Sequence, residues 1–208
     1  MHKKLLKKFI CIFTIFISNH IFATEWIFDV ILNEEIIGQH SFNYENTKTT
    51  SQANFEFKYF LFNFKYVHKS TEIWKKNCLI SISSQTNDDG DLFKVDGFQN
   101  KDNFLVSTIK NTFKLPLCVM TFSYGNPNIL KQNKLMNSQT GELIDVNISF
   151  IKKEIYTVRG NNVLANLWKI QTINPENDLL IYLWYDDEMN WLGLKTDTPI
   201  GFMHYRLR

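Results

Sequence analysis

A period-two alternation at the start of the β-forming part of the chain constrains everything after it. In Trp26–Tyr44, WIFDVILNEEIIGQHSFNY, the residues Trp26, Phe28, Val30 and Leu32 alternate with Ile27, Asp29 and Ile31. The polar Asn33-Glu34-Glu35 follows, and a second arm runs from Ile36 to Tyr44. Successive strand residues face opposite sides, so β-branched and aromatic alternation broken by a short polar turn predicts a β-hairpin. Gly38, inside the second arm, predicts a bulge or a close backbone approach.

The same grammar continues. Residues 45–52 are polar and read as a loop, and residues 53–76, ANFEFKYFLFNFKYVHKSTEIWKK, are the most aromatic part of the chain. There the apolar face switches parity near Phe60, which predicts a bulge, a bend or a strand boundary. Thr86-Asn87-Asp88-Asp89-Gly90 is a strong turn signal. The pattern breaks at Leu115-Pro116-Leu117-Cys118; beyond it, Asn126 suits a cap and Pro127 a first helical position, predicting one short helix near residues 126–136. Strands resume over 142–151, with turns expected at Lys152-Lys153 and at Gly160-Asn161-Asn162. Later strands fall near 163–172, 179–185, 191–195 and 202–207, joined by links at 174–178, 186–190 and 196–200. Short links between many strands predict an all-β antiparallel meander of about 10–12 strands. A strongly curved sheet, half-barrel or barrel answers the problem of exposed edges.

The first 23 residues differ in kind. Lys3, Lys4, Lys7 and Lys8 precede the short apolar run Phe9–Ile17, and Ser18-Asn19-His20 leads to Ala23. This is the layout of a signal peptide over 1–23, with 24–208 as a single β-rich exported domain, periplasmic or extracellular; an uncleaved anchor is the other reading. No later stretch approaches the ~20 apolar residues of a transmembrane helix. The leader holds four of the 23 Lys and Arg and none of the 21 Asp and Glu, which leaves 19 against 21 after cleavage. A slightly acidic chain offers no basic footprint for nucleic acid.

Cleavage also leaves an even pair of cysteines, Cys78 and Cys118. In an oxidising compartment a disulfide is expected, closing a loop worth about 4 kcal/mol in the chain-entropy model. Two buried free thiols are the alternative.

The sequence marks no catalytic set, metal site or cofactor motif. His40, His68 and His204 are far apart, and the acidic runs at 88–91 and 186–188 fall at turns. His68 and Glu72 lie four apart on one strand and share a face with Ser70 between them, a polar cluster or a solvent face. The aromatic excess is the one compositional hint of a ligand. Phe57, Phe60, Phe62, Phe64, Tyr66, Trp74 and Trp184 are candidates to line an apolar pocket in a curled sheet, against the reading of an ordinary filled core.

Several stretches together resemble a family of uncharacterised bacterial exported proteins, a domain of unknown function. They are WIFDVILNEEIIGQHSF, HKSTEIW, LPLCVMTFSYGNPNILKQNKLMNSQTGEL and LLIYLWYDDEMNWLGLKTDTPIGFMHYRL. The resemblance covers most of the chain after the leader and implies export, a mostly β domain and a paired Cys78 and Cys118. In size and strand content the chain is also broadly similar to curved-sheet lipoprotein carriers, at the level of fold alone. The expectation is a non-enzymatic exported β protein that binds an apolar or lipid-like ligand. The alternative is a structural or protein-interaction module of the envelope.

Overall fold

The computed structural model describes residues 24–173 and 179–208. The expected leader and the 174–178 link lie outside the described residues. Eight strands run outward from the middle of one antiparallel sheet: β1 (Thr24–Leu32), β2 (Glu35–Glu45), β3 (Lys48–Tyr59), β4 (Phe62–Lys75), β5 (Cys78–Asp88), β6 (Asp91–Gln99), β7 (Phe104–Thr108) and β8 (Thr112–Leu115). Six more start at the other edge and return: β9 (Lys134–Met136), β10 (Leu143–Val158), β11 (Asn161–Thr172), β12 (Leu180–Tyr185), β13 (Trp191–Thr198) and β14 (Gly201–Leu207). The resulting 14-stranded order places β1 beside β14 and puts β8 and β9 at its two ends. The sheet is the expected all-β meander, and it stays open.

Tight turns make the meander. Asn33-Glu34, Lys76-Asn77, Asp89-Gly90 and Arg159-Gly160 all take positive φ at both positions, the geometry that matches strand twist in two-residue hairpins. Asn33 also ties the first hairpin to the end of the chain. Its backbone N–H donates to Phe202 O at 3.2 Å, and its Nδ2 donates to Ile200 O at 2.9 Å. Along the β1–β14 seam, buried Asp29 accepts from Arg208 Nε at 2.7 Å and meets Arg206 Nη2 at 3.4 Å. Gly38 fulfils both expectations. The β1–β2 register shifts between Val30 and Ile31, and a Cβ at Gly38 would stand 2.0 Å from Asn54 O.

Several local expectations are revised. The polar 45–52 stretch is a turn flanked by the end of β2 and the start of β3, because alternate residues of that start face inward. The parity switch at Phe60, by contrast, is a strand boundary, one of its expected forms, made by the hairpin turn between β3 and β4. Lys152-Lys153 does not turn the chain: β10 continues to Val158 through a bulge between Phe150 and Lys152. The two lysines sit in strand, paired with Glu154 at 2.8 Å and Asp187 at 2.7 Å. The short helix is a single 3-10 turn, Pro127–Lys131, capped by Asn126 Oδ1 accepting from Asn128 N at 3.1 Å. Its apolar positions are too few to sustain more, and β9 takes over at Lys134.

Two apolar clusters fill the concave side. The larger gathers Phe28, Phe42, Trp191, Tyr205, Tyr185 and the inward residues of β10–β14. The smaller gathers Leu79, Ile82, Val95, Phe104, Val106 and Met136, and Trp74 packs against both. The connection from β8 to β9 crosses this concave side as a strap. Val119 O accepts from Leu79 N at 3.2 Å, and Met120 O accepts from Met136 N at 2.8 Å. The Cys78–Cys118 disulfide pins the start of the strap to the first residue of β5.

Candidate functional site

Between the two apolar clusters the inner face turns polar. On β4, Phe62, Phe64, Tyr66, His68, Ser70, Glu72 and Trp74 follow one another at every second position, so aromatic ends bracket a polar centre. The neighbouring strands match that centre. Ser51 pairs with Ser70 and Thr49 with Glu72 from β3, while Thr86 pairs with His68 and Ser84 with Ser70 from β5. Thr49, His68, Ser70, Glu72, Ser84 and Thr86 are all buried. A sheet whose inner face only filled a core would carry apolar residues at these positions.

The strap and the loop after β9 partly roof this polar layer and leave a half-open cavity of about 220 Å³. Its walls include His40, Ser51, His68, Ser70 and Glu72 from the sheet, Thr121–Tyr124 from the strap and Asn137–Gln139 from the loop. Among the described residues, no Lys or Arg lines it. Gln139 is held in place by Tyr66, whose hydroxyl donates to Gln139 Oε1 at 3.1 Å. Tyr185 OH donates to Tyr124 O at 2.7 Å, fixing the strap from the opposite side.

Two histidines face this space. His40 Nε2 lies 2.6 Å from Ser51 Oγ, and its Nδ1 lies 3.2 Å from Tyr205 OH. His68 Nδ1 lies 2.8 Å from Thr86 Oγ1. Burial disfavours the charged ring, lowering His40 to about 3, with His68 adding to the effect, and His68 to about 4. Burial acts on Glu72 in the opposite direction and raises its carboxyl to about 7, against weaker opposing contributions from Thr121 and Trp74. The cavity is therefore lined by neutral imidazoles, hydroxyls and amides, by one carboxyl that ionises near neutrality, and by the apolar side chains of Phe42, Phe122 and Leu179.

The structure brings His68, Ser70 and Glu72 to one face, as their spacing requires. It does not bring the seven aromatic candidates to one pocket. Tyr66 lines the cavity, whereas Trp74 bridges the apolar clusters. Phe57 and Phe64 stack on each other at 5.3 Å, and Phe60 and Phe62 are exposed at a hairpin tip. Trp184 faces the other side of β12, stacked on Tyr156 at 4.8 Å and donating to Glu154 Oε1 at 2.9 Å. The sequence reading missed Ser51 because it fell in the expected loop, and missed its partner His40 because only the β2–β3 register joins them. The strap residues carried no signal at all.

The family model described as Domain of unknown function (DUF6134) matches residues 28–208, and the chain belongs to that family. No curated protein matches it in sequence. Among solved structures, the chain is similar to the crystal structure of a β-barrel-like protein of domain of unknown function DUF1849 from Brucella abortus. That likeness has a TM-score of 0.64 at 10% identity and covers 89% of this chain and 95% of the other. It concerns the fold, an all-β barrel-like sheet.

Proposed function

We propose that this DUF6134 protein is a binding protein that holds a small polar molecule, neutral or positively charged, beneath the strap. The observation that carries the reading is the inward polar layer on β3, β4 and β5. Burying hydroxyls, two imidazoles and a carboxyl costs stability wherever their hydrogen-bonding capacity goes unmet. His40, Ser51, His68, Thr86 and Ser84 meet part of it within the protein, and a polar guest would meet what remains. At about 220 Å³ the cavity falls below the usual ~300–1,000 Å³ of drug-sized ligand sites. The small volume, and the imidazoles, hydroxyls and carboxyl set among the apolar side chains of the lining, favour a small guest with polar groups over the lipid-like ligand expected from the aromatic excess. The absence of Lys and Arg from the lining among the described residues, and the presence of Glu72, disfavour an anion.

The reading includes export of the domain to the periplasm or the extracellular space, supported by the basic and apolar layout of residues 1–23 and by the disulfide. A purely structural envelope module with a filled core fits the cavity less well.

One contact favours a second reading, acyl transfer with Ser51 as nucleophile and His40 as base, since their 2.6 Å spacing has the reach such a pair needs. The electrostatics favour binding instead. Burial opposes the imidazolium that a base must become, and the other ring nitrogen faces a tyrosine hydroxyl where a carboxylate would stabilise that charge. A thermal-shift screen of small sugars, amino alcohols and amines tests the proposal, with a fluorophosphonate probe as the test of the second reading. Stabilisation by a compound of this class, lost in Ser70→Leu where the cavity is filled, supports binding. Stabilisation by lipids alone, or stoichiometric labelling of Ser51, overturns it.

A further inference from the structure

The β3–β4 hairpin reaches beyond its neighbours. Pairing of β2 to β3 ends at Gly38 opposite Phe55, and pairing of β5 to β4 ends at Asp88 opposite Tyr66. From Glu56 opposite Lys65 to Tyr59 opposite Phe62 the two strands pair only with each other, apart from an Asp89 N–H bonded to Lys65 O at the base. At ~3.4 Å per residue this ribbon projects about 14 Å. It is amphipathic, with Phe57, Phe62 and Phe64 at the positions of one face and Glu56, Lys58, Asn63 and Lys65 on the other.

The tip is built against local preference. Phe60 and Leu61 occupy a two-residue turn, with Phe60 at φ +53°. Such turns favour Asn, Asp or Gly, and a bulky side chain at positive φ is an outlier. Phe60, Leu61 and Phe62 are 80%, 88% and 68% exposed. Three consecutive exposed apolar residues on a strained, projecting turn mark a contact surface more sharply than scattered exposed apolars do.

We propose that this tip inserts into the interfacial layer of an anionic lipid bilayer. Two lysines against one glutamate make the ribbon basic, although residues 24–208 as a whole carry more acid than base. That local charge suits an anionic surface. The unpaired backbone edges of the ribbon keep it out of the hydrocarbon core, so insertion stops at the turn and its aromatic neighbours, at roughly the 5–10 Å depth of interfacial elements.

The domain from Thr24 to Arg208 contains every strand of the sheet and the disulfide, and it is the form to test. Flotation with phosphatidylethanolamine–phosphatidylglycerol vesicles is compared for wild type and Phe60→Gly/Leu61→Asn. Of the two turn residues only Phe60 takes positive φ, so Gly first and a polar residue second suit this turn and the variant keeps or raises its melting temperature. Vesicle binding by wild type, with a loss on the order of tenfold or more in the variant, is expected. No flotation of wild type, or equal flotation of both, overturns the proposal; the first result would point to a protein groove as the partner of the tip.

Discussion

His40 Nε2 and Ser51 Oγ stand 2.6 Å apart on neighbouring strands, at the rim of a buried polar layer. With His40 neutral, one ring nitrogen donates and the other accepts, so Ser51 and Tyr205 together satisfy the ring. Ser51→Ala leaves one ring nitrogen without its partner. The expected cost is about 1–3 kcal/mol, read as a lowered urea midpoint at unchanged m-value. An undiminished midpoint would show that the pairing contributes nothing to the fold.

The pH dependence of stability reports on the same layer. Glu72 is raised from 4.5 to about 7, so across that interval the folded chain keeps a proton that the unfolded chain has released, and stability falls as pH rises. His40 and His68, lowered from 6.5 to about 3 and about 4, act oppositely. The unfolded chain takes up protons that the folded chain excludes, so their contribution is present above pH 6.5 and is lost as pH falls. Between pH 4.5 and 6.5 the histidines outweigh Glu72. Glu72→Gln removes the opposing contribution, and the rise of unfolding free energy with pH becomes steeper by about 1.4 kcal/mol per pH unit in that window. Parallel curves for wild type and variant would mean that Glu72 titrates normally.

Gly125 is fitted to Tyr44. A Cβ at Gly125 would stand 1.9 Å from the Tyr44 hydroxyl. Gly125→Ala is therefore expected to cost roughly 1–3 kcal/mol by overpacking. Tyr44→Phe removes the nearest of the clashing atoms, leaving the ring Cζ at 2.4 Å, so the double variant recovers part of the loss, a non-additivity measurable in a double-mutant cycle. Strict additivity would place the cause elsewhere.

The disulfide clamps the strap that roofs the cavity. Replacing both Cys78 and Cys118 with Ala should lower stability by about 2–4 kcal/mol, measured by denaturant titration. It should also weaken any thermal shift produced by a cavity ligand, because Thr121–Tyr124 follow directly from Cys118. A full ligand response in the double alanine variant would separate the strap from binding.

How far the sequence led depends on the range of the interaction. Strand alternation is local, so β1, β2 and most later strands could be read from single stretches, and the i, i+2, i+4 rule put His68, Ser70 and Glu72 on one face. Register is not local. Ser51 and His40 meet only because Phe42 pairs with Ser51, which places His40 and Ser51 diagonally on one face. Burial is not local either. Tyr66 and Trp184 look alike as strand aromatics, yet one lines the cavity and the other stacks on the outer face. The strap was invisible because its position is fixed by tertiary hydrogen bonds and the disulfide, with no periodic pattern of its own.

Native mass spectrometry of the protein purified without detergent from cells that express it decides whether the polar layer holds a guest. A stoichiometric small polar adduct is expected on the wild type and absent from Ser70→Leu. A bare polypeptide mass that no small polar compound shifts, or an adduct of lipid size retained equally by both proteins, would contradict the binding proposal.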